Sequence, residues 1–310
     1  MEKQEAIFKS RGNGKLLLSG EYLILKGAKG LSLPTKYGQD LEVYTHNGET
    51  ILWESYNLDG LWHKVELDKS LKIIETTDNQ FAERLQAILK QCLIQSTINA
   101  SDLGGKKFIT TIDFDTAWGL GSSSTLIYNL SQYFKIDAYE LQLKTFNGSG
   151  YDVANAGIDS PIFYELNNKK PFFKAVQFSP SFKNQLFFIY SGRKVSSQKA
   201  ISKFIDKPIQ NRTITSVSQL SDLISLTNNI DDFIKLIKLH EDTIGELIDQ
   251  KPLGKQFFSD FRGTTKSLGA WGGDFFLAAT YENEAYVRNY FTDKGFEIIF
   301  NYDQIILQND

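Results

Sequence analysis

Four short segments carry residue types that can handle a phosphoryl group. The first runs Asp115-Thr116-Ala117-Trp118-Gly119-Leu120-Gly121-Ser122-Ser123-Ser124-Thr125, between a strand-like stretch and an amphipathic helical one. Gly119 and Gly121 let the backbone approach an anion without Cβ interference, and the helix that opens at Ser122 aims its free N–H groups and positive dipole end at it. The hydroxyls of Ser122, Ser123 and Ser124 can donate to phosphate oxygens, and Ser122 and Ser123 are candidate Mg²⁺ ligands. A Gly/Ser turn that only caps a helix has the same composition, so these residues alone leave both readings open. A Walker A loop is excluded, because no Lys follows Gly121.

The second segment, Gly148-Ser149-Gly150-Tyr151-Asp152-Val153-Ala154, sets a carboxylate just after a glycine turn. Asp152 there can accept or orient a proton, or cap a helix. In the third, Gly14-Lys15-Leu16-Leu17-Leu18-Ser19-Gly20-Glu21-Tyr22, Lys15 enters an apolar strand, which favours a fixed ammonium over a solvated surface lysine. The fourth, Ser191 to Lys199, gathers Arg193, Lys194 and Lys199 with Ser196 and Ser197 between a strand and a helix. That set can hold a phosphate, or be a solvated helix start. His46, His63 and His240 lack metal-ligand spacing and read as structural or surface residues.

These segments need a scaffold of strands and helices. Leu16 to Leu25, Asp40 to His46, Thr50 to Tyr56 and Leu61 to Leu67 are β-rich and punctuated by Gly30, Asn47-Gly48 and Asp59-Gly60. The 3.6-residue spacing of Phe81, Leu85, Ile88, Leu89, Cys92 and Leu93 predicts a helix over Asn79 to Gln95, followed by a strand at Lys107 to Phe114 and a helix from Ser122. The second half predicts strands at Gln185 to Ser191, Phe275 to Thr280, Phe296 to Phe300 and Gln304 to Leu307. Its helices fall at Ser197 to Ile205, Val217 to Thr227, Ile230 to Ile248 and Glu284 to Lys294. The polar, breaker-rich Asn167 to Pro171 suggests a boundary near 170, dividing residues 1–170 from 171–310.

With 310 residues, 41% hydrophobic and 23% charged, the chain can bury a sizeable core and form two lobes. Its net charge, 34 − 37 = −3, argues against nucleic acid as a partner. Cys92 is the single cysteine and reads as a core residue, compatible with a reducing compartment. No apolar run exceeds five residues, and the first fifteen hold Lys3, Lys9, Arg11 and Lys15, so the expectation is a cytoplasmic protein without a membrane partner.

In order and spacing the segments resemble the GHMP kinases, the family of galactokinase, homoserine kinase, mevalonate kinase and phosphomevalonate kinase. Gly14 to Tyr22 resembles that family's G-K-x-x-L-x-G-E-[HY] signature. Gly119-Leu120-Gly121-Ser122-Ser123 resembles its P-x-x-x-G-L-G-S-S-A-A, with Asp115 for Pro and Ser124-Thr125 for Ala-Ala. Leu268-Gly269-Ala270-Trp271-Gly272-Gly273-Asp274 resembles T-G-A-G-G-G, with Trp271 where a small residue is usual, there to wall a pocket or stack on a ligand. Gly148 to Ala154 is similar to the G-S-G-[FY]-D-V-A of the phosphomevalonate branch, and Ser191 to Lys199 to a G-x-x-x-S-T segment.

The resemblance implies an α+β, two-lobed fold, with a ribosomal-protein-S5-like N-terminal lobe and a ferredoxin-like C-terminal lobe. It implies ATP and Mg²⁺ as cofactors and an isoprenoid-precursor acceptor, phosphomevalonate first. The alternatives are mevalonate, a diphosphomevalonate decarboxylase, and a non-catalytic metabolite-binding relative; a homodimer is a further expectation. It assigns catalysis to Asp152 and Lys15, and nucleotide binding to Gly119 through Ser124. Acceptor binding is assigned to Glu21, Ser149, Arg193, Lys194, Ser196, Ser197, Gly272 and Gly273. The family's magnesium glutamate aligns with Leu141, which leaves Glu140, one residue away, and Glu21, in the first signature, as the carboxylates to test.

Overall fold

The computed structural model describes residues 5–146, 148–193, 204 and 207–308. Contacts group the chain into two compact units. Unit 1 takes the chain through Gly14, then Tyr37–Thr116 and Leu120–Gly157; unit 2 takes Lys15–Lys36, Ala117–Gly119 and Ile158 onward. Two long strands, β1 (Phe8–Ser19) and β2 (Gly30–Thr45), belong in part to each.

Unit 1 adds β3 (Ile51–Asn57), β4 (Gly60–Leu67), β5 (Ile73–Thr76), α1 (Asn79–Gln95), β6 (Lys106–Ile112), α2 (Ser122–Phe134), α3 (Ala138–Thr145) and α4 (Tyr151–Ala156). Its strands lie in the order β5-β4-β3-β6-β2, with β3 and β6 parallel and the other pairs antiparallel. Alternation along the strands sends Leu41, Val43, Trp53, Val65 and Phe108 to one face, where the apolar stripes of α1 and α2 cover them. Trp53 stacks on Phe108 at 5.4 Å, and Cys92 is buried in the same core. Asp78 caps α1 by accepting from the Phe81 amide, which is why that helix starts where its periodicity does.

In unit 2 the first residues of β2 pair with β7 (Ile162–Asn167), which forms a hairpin with β8 (Lys170–Ala175). Asn168 and Lys169, with φ of 51° and 64°, form its two-residue turn, so the breaker-rich character of Asn167 to Pro171 is turn chemistry. Then come β9 (Leu186–Tyr190), α5 (Asn211–Leu226), α6 (Ile230–Ile248), α7 (Leu253–Phe257), β10 (Gly263–Ser267), β11 (Phe275–Thr280), α8 (Glu284–Thr292), β12 (Ile299–Asn301) and α9 (Tyr302–Ile305). The order β10-β11-β9-β12, antiparallel throughout, is that of a ferredoxin-like β-α-β-β-α-β unit. The α+β class and the presence of two sheets agree with the expected fold.

Three expectations are corrected. The strand over Leu16 to Leu25 stops at Ser19, because the backbone turns left-handed at Gly20 and Tyr22 and Leu23–Lys26 form a 3-10 turn. Gly30, expected in a turn, opens β2. The strand over Gln304 to Leu307 is instead the short α9, nucleated by a reciprocal cap in which Asn301 and Gln304 each accept the other's backbone N–H. The helix expected over Ser197 to Ile205 lies mostly outside the described residues. Among the described residues, no helix is long and apolar enough to cross a membrane.

Candidate functional site

In unit 1, α2 begins after Gly121, whose φ of 99° turns the chain into the helix without a side-chain cap. Ser122 and Ser123 occupy the first turn, where a helix leaves amide donors unmatched. Ser124 and Thr125 turn inward instead. Ser124 Oγ donates to Asp152 Oδ2 at 2.6 Å, and Thr125 Oγ1 donates to Gln39 Oε1 at 2.7 Å. The two residues that replace Ala-Ala in the signature therefore tie α2 to α4 and to β2.

Asp152 is not the cap of α4. Gly150, with φ 78°, holds that position, and Asp152 lies in the first turn with Oδ1 accepting from the Val153 amide. Its other oxygen faces Ser124, and Ser149 beside it is buried. Ser122 and Ser123 also line a cavity of about 280 Å³ whose wall includes Trp62, Phe81 and Arg84. His63 stacks on Phe81 at 4.0 Å, with the Trp62 ring tilted against it at 4.3 Å. Burial holds the His63 pKa below its ordinary value, although Asp78 at 3.7 Å pulls the other way. Trp62 and Arg84 fit their strand and helix as ordinary surface residues, and Phe81 reads as a member of the apolar stripe of α1, so none of the three stands out in the sequence as a site residue.

In unit 2, Lys15 Nζ donates to the Gly119 carbonyl at 2.9 Å, so the first and second signatures meet there. Gly119, with φ 69°, admits no side chain, since a Cβ would stand 2.3 Å from the Asp274 carboxylate. Asp274 also holds the Ser191–Arg193 segment at both ends, its amide donating to the Arg193 carbonyl at 2.7 Å and its carbonyl accepting from the Ser191 amide at 2.8 Å. Lys15, Gly119, Asp274 and the Arg193 backbone are thus brought together. Asp274 went unnoticed in the sequence, where the only signal was its place after Gly272-Gly273. Those glycines lie in the β10–β11 loop, Gly272 with φ 92°. Lys194, Ser196 and Ser197 lie outside the described residues.

Trp271 lies in an apolar cluster of unit 2. It is buried against Leu23, Ala28, Phe204, Val217 and Ile244, and its amide donates to Tyr22 Oη at 3.0 Å. This corrects the expectation of a ligand-facing indole: the apolar pocket under the loop takes the ring.

Glu21 faces inward too. Its carboxylate takes a hydrogen bond from Lys266 Nζ, which stands 3.5 Å from Glu241, and all three side chains are at most 2% exposed. The Gly20 amide donates to His240 Nε2 at 3.0 Å, so the single proton of the neutral ring sits on Nδ1. Burial and the Lys266 charge hold His240 well below its ordinary pKa. Two carboxyl groups thus share one cation. Burial raises both, with Lys266 pulling back, and Glu241 is pushed up to about 8.

A carboxyl raised in the folded state binds more protons folded than unfolded between pH 4.5 and about 8, so its contribution to stability declines as pH rises through that window. Glu241→Gln keeps the acceptor that meets the Ser267 amide at 3.2 Å and removes the titration. The variant's melting temperature is expected to match the parent's near pH 5 and exceed it increasingly toward pH 8. A constant difference across that range would contradict a protonated Glu241.

No family model matches the sequence, and no curated protein does. Solved structures do. A mevalonate kinase of Methanococcus jannaschii superposes with a TM-score of 0.71 over 99% of both chains at 16% identity. A Streptococcus pneumoniae phosphomevalonate kinase, solved with phosphomevalonate and AMPPNP, gives 0.71 over 95% of this chain and 100% of its own, also at 16%. A Lactococcus lactis galactokinase complexed with galactose gives 0.67 over 98% and 94% at 11% identity. These neighbours are GHMP kinases, and the chain has their fold.

Proposed function

We propose that the chain is an ATP- and Mg²⁺-dependent small-molecule kinase whose acceptor is an isoprenoid precursor, phosphomevalonate first. The observation that carries this reading is the start of α2, where Ser122 and Ser123 border an aromatic-walled cavity while Ser124 holds Asp152. Aromatic walls with a few charged groups at the rim suit a nucleotide base, and a helix N-terminus beside them suits its phosphates.

Among the described residues no three His, Cys, Asp or Glu side chains gather as a metal cage. Mg²⁺ bound together with substrate phosphates needs only a few hard oxygen donors from the protein, and the Ser122 and Ser123 hydroxyls fit that need. When bound there it neutralises charge on the phosphates. Lys15 stabilises charge on the acceptor oxygen or the transferring phosphoryl group. Asp152 orients the acceptor and takes a proton if one remains. A phosphate monoester, with a second pKa near 6, is mostly dianionic at pH 7, so positioning outweighs proton removal for that acceptor. In this reading residues 1–170 carry the nucleotide loop and residues 171–310 carry acceptor contacts from Arg193 and the Gly272-Gly273 loop, in a cytoplasmic enzyme.

Mevalonate is the second reading, favoured by a mevalonate kinase neighbour that superposes with the same TM-score as the phosphomevalonate kinase. ADP and CO₂ release with Mg·ATP against mevalonate, phosphomevalonate, diphosphomevalonate, homoserine and galactose separates these. ADP with phosphomevalonate and no CO₂ supports the first reading, ADP with mevalonate the second, and CO₂ with diphosphomevalonate a decarboxylase. Silence across the panel contradicts the kinase reading for these acceptors. The Arg193 side chain is exposed, its backbone fixed by Asp274. Arg193→Ala is expected to raise KM for a phosphorylated acceptor about tenfold, from one lost charge-assisted contact. An unchanged KM would remove Arg193 from the acceptor site.

A further inference from the structure

Tyr22, in the turn that follows β1, has a backbone conformation closed to most side chains. Its φ of 60° and ψ of −45° lie outside the regions open to a residue with a Cβ, and across it the Leu23 amide donates to the Glu21 carbonyl at 2.6 Å. That is a γ-turn of the strained hand. Strain of this kind persists only where surrounding contacts hold it. Two contacts hold Tyr22. Its ring packs on Phe204 with centroids 5.4 Å apart, and its Oη accepts the Trp271 amide at 3.0 Å. A turn that only joined β1 to Leu23–Lys26 could carry glycine at position 22 without strain. A tyrosine there is explained by what its hydroxyl reaches.

It reaches the middle of the β10–β11 loop, residues 268–274. Gly269 and Gly272 have φ of 66° and 92° there, with open space where a Cβ would stand, so both serve the turn and neither meets a neighbour that would hold it. Glycines in open space leave a loop many conformations. Trp271 removes that freedom, its ring buried against Leu23, Ala28, Val217 and Ile244 and its amide taken by Tyr22. Three residues on, Asp274 holds the Ser191–Arg193 backbone and lies against Gly119, whose carbonyl accepts from Lys15. We infer that Tyr22 is a positioning residue: its strained turn aims the hydroxyl at the Trp271 amide and so fixes the β10–β11 loop, and through Asp274 the placement of Arg193 and Gly119. That this loop serves a phosphorylated acceptor rests on the kinase reading above, whereas the anchoring of the loop by Tyr22 stands without it.

Amide hydrogen exchange on the full chain reads the anchor. Tyr22→Phe keeps the ring and removes the hydroxyl, so the Trp271 amide is expected to exchange about tenfold faster while the melting temperature stays within about 2 °C of the parent's. Tyr22→Gly and Tyr22→Ala read the strain, since both delete the side chain. Glycine is ordinarily the less stable of the two, yet here it is expected to melt at least about 2 °C higher, because alanine must keep a positive φ. In kinetics, Tyr22→Phe should raise KM for the phosphorylated acceptor about fivefold and leave KM for Mg·ATP, assigned to the start of α2, within about twofold. Loss of folding would not produce that split. Unchanged exchange at Trp271, an alanine variant as stable as the glycine one, or an acceptor KM equal to the parent's would each overturn the inference. A parent chain without turnover would overturn the kinase reading instead, and exchange and melting would then decide the role of Tyr22.

Discussion

Lys266→Met is expected to destabilise the folded chain by about 3–5 kcal/mol at pH 7, the cost of leaving buried carboxyls without their cation. Lys266 is fully buried, donates to Glu21 and to the carbonyl of the next residue, Ser267, and faces Glu241. Methionine fills nearly the same volume, so the loss is electrostatic. Glu241 already holds its proton below about pH 8, so without the ammonium Glu21 must also take one up to stay inside, at a cost that grows with pH above its unfolded value. The deficit should therefore shrink toward pH 5 and widen toward pH 8 when unfolding is followed by calorimetry. A loss independent of pH would mean that packing, not charge, is what Lys266 contributes. A loss below about 1 kcal/mol, the scale of an exposed pair, would contradict the buried cluster itself.

Asp152→Asn should lower kcat at least tenfold while the melting temperature stays within a few degrees of the parent. The amide oxygen can still accept the Ser124 hydroxyl, which meets Asp152 at 2.6 Å, so the α2–α4 contact persists. What is lost is the negative charge and the capacity to take a proton, effects that span about 10²–10⁴ for general bases and less where the acceptor is already ionised. The size of the loss thus reports on the acceptor: a decrease near tenfold fits a phosphate nucleophile, and a decrease near a thousandfold fits an alcohol. Near-normal turnover would reduce Asp152 to a residue that steadies the start of α4.

Much of the scaffold was legible where one physical signal dominated. The periodicity of Phe81 through Leu93, bounded by the Asp78 cap, marks α1 at its observed limits, and Ile230–Ile248 and Phe275–Thr280 likewise follow their patterns. Legibility failed where tertiary contact overrode local character. Leu23 to Leu25 look like strand residues, yet a left-handed Tyr22 sends them into a 3-10 turn. At the site, glycine spacing located the turn at Gly119 and Gly121 but could not reveal Asp274, which meets Gly119 across 155 positions of sequence. Glu21 shows the converse. Its place in a signature suggests a substrate-facing carboxylate, whereas its partner Lys266 sits on a strand far along the chain and draws it inward. Trp271 likewise looks like an intrusion in a glycine loop until the apolar pocket formed by Leu23, Val217 and Ile244 is known.

Phosphoryl transfer at this site is read out by ³¹P NMR of the purified chain with Mg·ATP and phosphomevalonate. The γ-phosphate signal of ATP is expected to decline as ADP and a new diphosphate resonance on the acceptor grow together. An unchanged ATP spectrum, from a folded chain that still binds Mg·ATP, would contradict it.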